Sequence, residues 1–264
     1  MAAGICILVG LLFCALAAPL IVDQDPIAID VLNRLNPPSD EQAFGTDHMG
    51  RSVLSRTIYG GRISLLVGFT VALLATGIGL TIGLLTGFVR WIDVVVMRVM
   101  DGLMAIPSVL LAIAFMALAG SSVRNIIVAI TIPEVPRVAR LVRGIVMSVR
   151  EQPFVEAAIA AGSPDLKVLV KHILPTTITP LVVQATYIAA AAIIAEAYLS
   201  FLGAGTPPEI PSWGNIVAEG RALFTVAPWT VLFPSIFLAV TVLAVNVVGD
   251  GLRDQLDPQM ARRM

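Results

Sequence analysis

"ISLLVGFTVALLATGIGLTIGLLTGFV", residues 63–89, runs for 27 residues without a charge. As a helix rising ~1.5 Å per residue it would be about 40 Å long, against the ~30 Å hydrocarbon core of a bilayer. Such a run reads as a membrane-spanning helix that tilts or projects beyond the lipid. The whole chain agrees: of its 264 residues, 57% are hydrophobic and 13% charged, where a soluble domain carries about 25% charged residues.

Outward from this run, five more stretches are long enough to cross. Ala2–Val22 is uncharged and lacks the basic start of a signal peptide, so it reads as a span. About Val94–Ala119 comes next, with Arg98 and Asp101 in its first third and Pro107 inside. Another begins near Asn125 and passes through Pro133 and Pro136; beyond them Arg137, Arg140 and Arg143 share one side, and Val138, Leu141, Val142 and Ile145 the other. Thr176–Leu202 and Trp229–Gly249 complete the set. The expected fold is therefore all-α, a polytopic membrane protein with six transmembrane helices. Cys6 and Cys14 would lie about 12 Å apart along the first helix, too far for a disulfide, and read as buried apolar residues.

The partition is one membrane domain: 1–62 as first helix plus outer loop, 63–250 as the core with a polar loop at about 151–175, and 251–264 as a tail. With the N-terminus inside, eleven of the seventeen Lys and Arg residues fall on inner segments, which puts both termini in the cytoplasm. Loops 23–62 and 203–228 then face outward, with Trp213 and Trp229 as expected interfacial anchors. A net charge of −1 gives no basic field for nucleic acid. The only lysines, Lys167 and Lys171, follow Leu166 and Val170, so no phosphate-cradling G-x-x-x-x-G-K-[ST] loop exists and this chain supplies no ATP site. Its histidines, His48 and His172, form no metal-ligand spacing with the cysteines, and His48 reads as a loop residue.

The inner segment "EQPFVEAAIAAGSPDLKVLVKHILPT", residues 151–176, breaks the apolar pattern. Phe154, Val155, Ala158, Ile159 and Ala161 make one helical face, and Gly162 suits a left-handed helix end. Ser163 is placed as N-cap, with Pro164 at the first helical position and Asp165 in the first turn. Leu166, Leu169, Val170 and Ile173 continue an apolar stripe beside Lys167 and Lys171, and Pro175 is expected to stop the helix. Two readings stand on pattern alone: a loop lying on lipid headgroups, attracted by its lysines, or a knob that docks on a cytoplasmic partner.

Glu156-Ala157-Ala158, Gly162 after three more residues, and Leu174-Pro175 resemble the EAA loop of ABC-importer permeases. His172 stands where the general pattern has isoleucine, as is common in the oligopeptide and dipeptide branch. "FGTDHMGRSVLSRTIYGGRISLLVG" (44–68), with Ser52 in place of the usual Asp, "AEAYLSFLGAGTPPEIPSWG" (195–214) and "NVVGDGLRDQLDP" (246–258) are similar to further stretches of that family.

The resemblance implies a type I ABC-importer permease core of MetI-like fold in a bacterial plasma membrane, preceded by one extra helix. It implies a second homologous permease, cytoplasmic ABC ATPase subunits that hold ATP and Mg, an extracytoplasmic substrate-binding protein, and no cofactor in this chain. Docking on the ATPase would fall to Glu156, Ala157, Ala158, Gly162, Ser163, Asp165, Lys167, His172, Leu174 and Pro175. Short peptides are the implied substrate; nickel or another metal chelate is the alternative within the branch, and a stand-alone secondary transporter or channel is a third reading. Against the third, charges sit mostly near span ends rather than midplane. Of the ionisable residues inside spans, Arg98 and Asp101 are expected to pair with each other, and Glu196 with Tyr198 to mark the path or gate, or else Glu196 to meet a partner permease. Asn246 and Asp250 are expected to cap the last span.

Overall fold

The computed structural model describes residues 1–256. Its helices are α1 (Ala2–Leu16), α2 (Ala18–Ile21), α3 (Val53–Phe88), α4 (Arg90–Ala105), α5 (Ser108–Ala119), α6 (Val123–Arg150), α7 (Pro153–Ala160), α8 (Asp165–Val168), α9 (Leu174–Phe201), α10 (Trp213–Gly220) and α11 (Trp229–Leu256). Serine side chains mark three starts: Ser52, Ser122 and Ser212 accept from the N–H of Ser55, Asn125 and Asn215 to open α3, α6 and α10.

All six apolar runs are helical, but they do not all qualify as spans. By length and composition, α3, the continuous helix Asp165–Phe201, and α11 can cross; α4 and α5 add a fourth only if taken together across a 91° bend. That bend breaks the expected third span at Pro107. Pro107 cannot donate a helical hydrogen bond and forces the preceding residue out of helical geometry, and Ile106 is indeed extended at φ −91°, ψ 128°. The 28-residue α6 is long enough, yet it carries six charged residues. The first run breaks at Ala17 into α1, of 15 residues, and the short α2.

Element limits move as well. α3 begins ten residues before the boundary drawn at 62/63, and α11 passes through the one at 250/251; the remainder of the expected tail, 257–264, lies outside the described residues. Asp250 does not cap the last span, because the helix runs on to Leu256; it accepts from the Tyr187 hydroxyl at 2.6 Å instead.

The centre of the molecule is the parallel packing of α3 on α6. Gly79, Gly83 and Gly87 face Val138, Val142 and Val146, and a Cβ at these glycines would lie 2.5–2.6 Å from the opposing valine Cβ atoms. A four-residue repeat of small residues lets two backbones approach closely where lipid supplies no hydrophobic drive. α9 packs against both helices and α11 against α9, closing a core that includes Val71, Ala75, Ile188 and Ala192. Trp213, expected at an interface, is fully enclosed instead, its indole N–H donating to the Thr57 carbonyl at 2.8 Å.

Candidate functional site

The segment after α6 folds much as its residues dictate. α7 ends in a Schellman arrangement: Gly162 takes φ +80°, its N–H donates to the Ile159 carbonyl at 2.9 Å, and the Ser163 N–H donates to the Ala158 carbonyl at 3.1 Å. Ser163 is thus spent on closing α7 rather than opening the next helix, and Pro164 occupies the N-cap position of α8 with Asp165 in the first turn. Pro175 does not stop the chain. A π-helical turn, Leu169–Ile173, carries α8 into α9, and Pro175 falls in the first turn of α9, where a missing N–H is tolerated. The segment from Asp165 is therefore continuous with the membrane helix, 37 residues long in all.

Three residues anchor the segment to the core: Val155, Val168 and Ile173 are fully buried. Around them Phe154, Ile159, Leu166 and Val170 are exposed apolar side chains, and Ala157, Gly162, Asp165, Lys167 and Pro175 are exposed beside them. Ala158, Ser163, His172 and Leu174 are half-buried. Glu156 sits in the first turn of α7, a favourable place for a negative charge. It lines a polar cavity of about 520 Å³ together with Arg90, Asp93 and Arg150.

Each arginine of the α6 row finds a carboxylate. Arg137 bonds Glu134 at 2.9 Å, Arg140 bonds Asp101 at 2.6 Å, and Arg143 grips Asp93 with two hydrogen bonds. The expected Arg98–Asp101 pair is thereby corrected. Because α4 folds back along α6, Asp101 meets a guanidinium across the helix interface rather than one on its own helix.

The two path candidates are separated. Glu196 has no exposure: its carboxylate accepts from Ser200 at 2.8 Å, Ser212 at 2.6 Å and Ser64 at 3.4 Å, and from the Gly214 backbone N–H. It ties α3, α9 and the start of α10 together, and neither lines an opening nor offers itself to another chain. Tyr198, two residues on, lines a cavity of about 240 Å³ between α5, α6 and α9, shared with Glu134 and Arg137. Sequence reading missed Glu134 as a partner, although its i,i+3 spacing to Arg137 was there to be read.

On the other side of the molecule, loop 22–52 is locked to α3 and α10. Arg56, 1% exposed, bonds Asp47 at 2.7 Å and Glu219 at 2.8 Å, while Arg51 bonds the same two carboxylates at 2.6 and 2.5 Å. Burial pushes the Asp47 carboxyl up, but Arg51, Arg56 and the backbone N–H groups of Met49 and Arg51 outweigh it and hold it below the ordinary carboxylate range. Asp47, His48 and Glu219 place ligand-type atoms within 4.8 Å of one another. With two guanidiniums already on the carboxylates, the cluster acts as an ion-pair lock.

Comparison with known proteins agrees with this architecture. Residues 77–262 match the family model described as "Binding-protein-dependent transport system inner membrane component". The chain is 54% identical to a probable peptide ABC transporter permease protein, y4tQ, of Sinorhizobium fredii, over 94% of this chain and 85% of that protein. It is 43% identical to the dipeptide transport system permease protein DppC of Alkalihalophilus pseudofirmus, over 97% and 85%. To a glutathione transport system permease protein GsiD, of Pectobacterium atrosepticum, it is 42% identical over 86% and 76%. Among solved structures, an inward-facing MetNI methionine ABC transporter chain superposes with TM-score 0.62 at 22% identity, over 78% of this chain and 96% of that one, which speaks for the fold. The chain belongs to the binding-protein-dependent transport system inner membrane components, and is a multi-pass ABC-transporter permease of MetI-like fold.

Proposed function

We propose that this chain is one of two paired permeases of an ATP-driven importer of short peptides, coupled to cytoplasmic ATPase subunits through α7 and α8. One observation carries the coupling role. A small knob with four exposed large apolar side chains is rooted by three buried ones and is continuous with a membrane helix. An apolar surface of that kind is expected to be covered by a partner, and its α8 half runs continuously into α9, so that a push on it bears on the membrane helix.

In this reading both termini are cytoplasmic, ATP and Mg are held by the ATPase subunits, and an extracytoplasmic binding protein delivers substrate at the face bearing Arg51, Arg56 and α10. Peptide is preferred over a metal chelate because the three relatives compared above are named for peptide, dipeptide or glutathione transport. The test is reconstitution of the complex in proteoliposomes with its binding protein, followed by uptake of labelled dipeptide and, in parallel, of a nickel chelate. ATP-dependent dipeptide uptake is expected. Uptake of the chelate alone refutes the peptide assignment.

A further inference from the structure

Glu134 and Arg137 form an ion pair near the middle of α6, a helix that must otherwise meet lipid or protein. Glu134 lies eleven residues from the α6 start and sixteen from its end. Its side chain is 11% exposed, whereas that of Arg137 is 51% exposed. A half-exposed guanidinium cannot face hydrocarbon without a cost of several kcal/mol, so ionisable groups in spans turn to the bundle interior or to water.

The surroundings fit water. The 240 Å³ cavity holding Glu134, Arg137 and Tyr198 adjoins a second of about 290 Å³ beneath the α4–α5 break, and Ser108, Pro133 and Arg137 line both. Together they reach the ~300–1,000 Å³ of ordinary small-molecule sites. The backbone points the same way. Pro133 and Pro136 cannot donate to the carbonyls of Ala129 and Ile132, and such broken ladders are tolerated within a bilayer where they are buried in protein or line an aqueous cavity.

The pair is also chemically unsaturated. Arg137 spends one N–H on Glu134 Oε1, which leaves guanidinium donors and Glu134 Oε2 for another group. A zwitterion is the small solute that uses both: its carboxylate takes a forked bond from the guanidinium, its ammonium takes the free carboxylate oxygen, and the Tyr198 hydroxyl and Ser108 add neutral contacts. We propose that Glu134, Arg137 and Tyr198 form a contact site in the translocation path for the charged ends of a free peptide. This rests on the peptide-importer reading above and places the substrate on this chain rather than only on its binding protein.

The test uses the complete reconstituted complex with Cys6 and Cys14 replaced. Glu134→Gln and Arg137→Gln should each lower the dipeptide moved per ATP about tenfold, the effect of one charge-assisted bond of roughly 1.5 kcal/mol. Glu134→Asp and Arg137→Lys should restore at least a third of it, and Tyr198→Phe should fall between. In a Ser108→Cys background a charged, water-soluble thiol reagent should label the cysteine, and ongoing dipeptide uptake should slow that labelling. Uptake unchanged by the Gln variants overturns the proposal, as does a cysteine inert to the reagent or an equal loss of complex assembly in the Gln and charge-keeping variants. Absence of dipeptide uptake by the unaltered complex instead sinks the peptide reading itself.

Discussion

Replacing Gly162 separates a docking lever from a passive surface loop. The residue takes φ +80° and closes α7 through its own N–H and that of Ser163, while a Cβ built there meets nothing within 4 Å. The cost of Gly162→Ala is therefore torsional alone, about 1–2 kcal/mol for a non-glycine residue in the left-handed region. Asn, which tolerates that region, costs less. Proline is excluded, since its ring fixes φ near −65° and removes the N–H that reaches Ile159. If the coupled state requires this turn, about 1.4 kcal/mol removes it tenfold. Peptide moved per ATP in proteoliposomes should then fall in the order Gly, Asn, Ala, Pro, with Ala down roughly tenfold and Pro without transport, while membrane insertion stays constant. Equal coupling in the Ala and Pro variants would refute the lever, and so would losses that follow protein level rather than backbone preference.

Three further outcomes follow from the packing. Gly83→Ile drives a side chain into Val142 and the Ala139 carbonyl, within 2.7 Å of its Cβ, and should prevent α3 from seating on α6; thermal stability in detergent should drop by several degrees. Arg56→Met leaves Asp47 and Glu219 to share Arg51 as their one guanidinium in a largely buried site and should cost about 1–3 kcal/mol, read as protease sensitivity of loop 22–52. Because Asp47 titrates below its ordinary value of about 3.9, its contribution is complete above that pH and is lost as the pH falls through its lowered value, so the protected loop should open only in strong acid. Arg143→Met removes the clamp on Asp93 and should raise hydrogen exchange across α4 about fivefold, the equivalent of ~1 kcal/mol, leaving α3 unchanged.

Sequence reading located the helical runs and the Gly162 turn because those depend on local chemistry: unbroken apolarity, a small residue where φ must be positive, a Pro or Ser at a helix start. It failed where tertiary packing decides. Pro107 and Pro175 look alike in sequence, yet one ends α4 in a 91° bend while the other rides in the first turn of α9 behind a π-turn. Asp101 chose Arg140 over Arg98 because α4 returns along α6, which no helical wheel displays. Glu196 and Tyr198, two residues apart in the sequence motif, point to different surroundings from one helix, the first into a serine cage and the second into an open cavity. Trp213 has the composition of an interface anchor and the burial of a core residue.

Docking of α7 and α8 on an ATPase is tested by a site-directed cross-link from Ala157→Cys. In native membranes, with Cys6 and Cys14 replaced, a short bifunctional thiol reagent should join position 157 to a nucleotide-binding subunit, with yield changing on ATP addition and vanishing in Gly162→Pro. Cross-linking only to lipid-phase reagents or to no protein, with an inserted and stable chain, would contradict the coupling account.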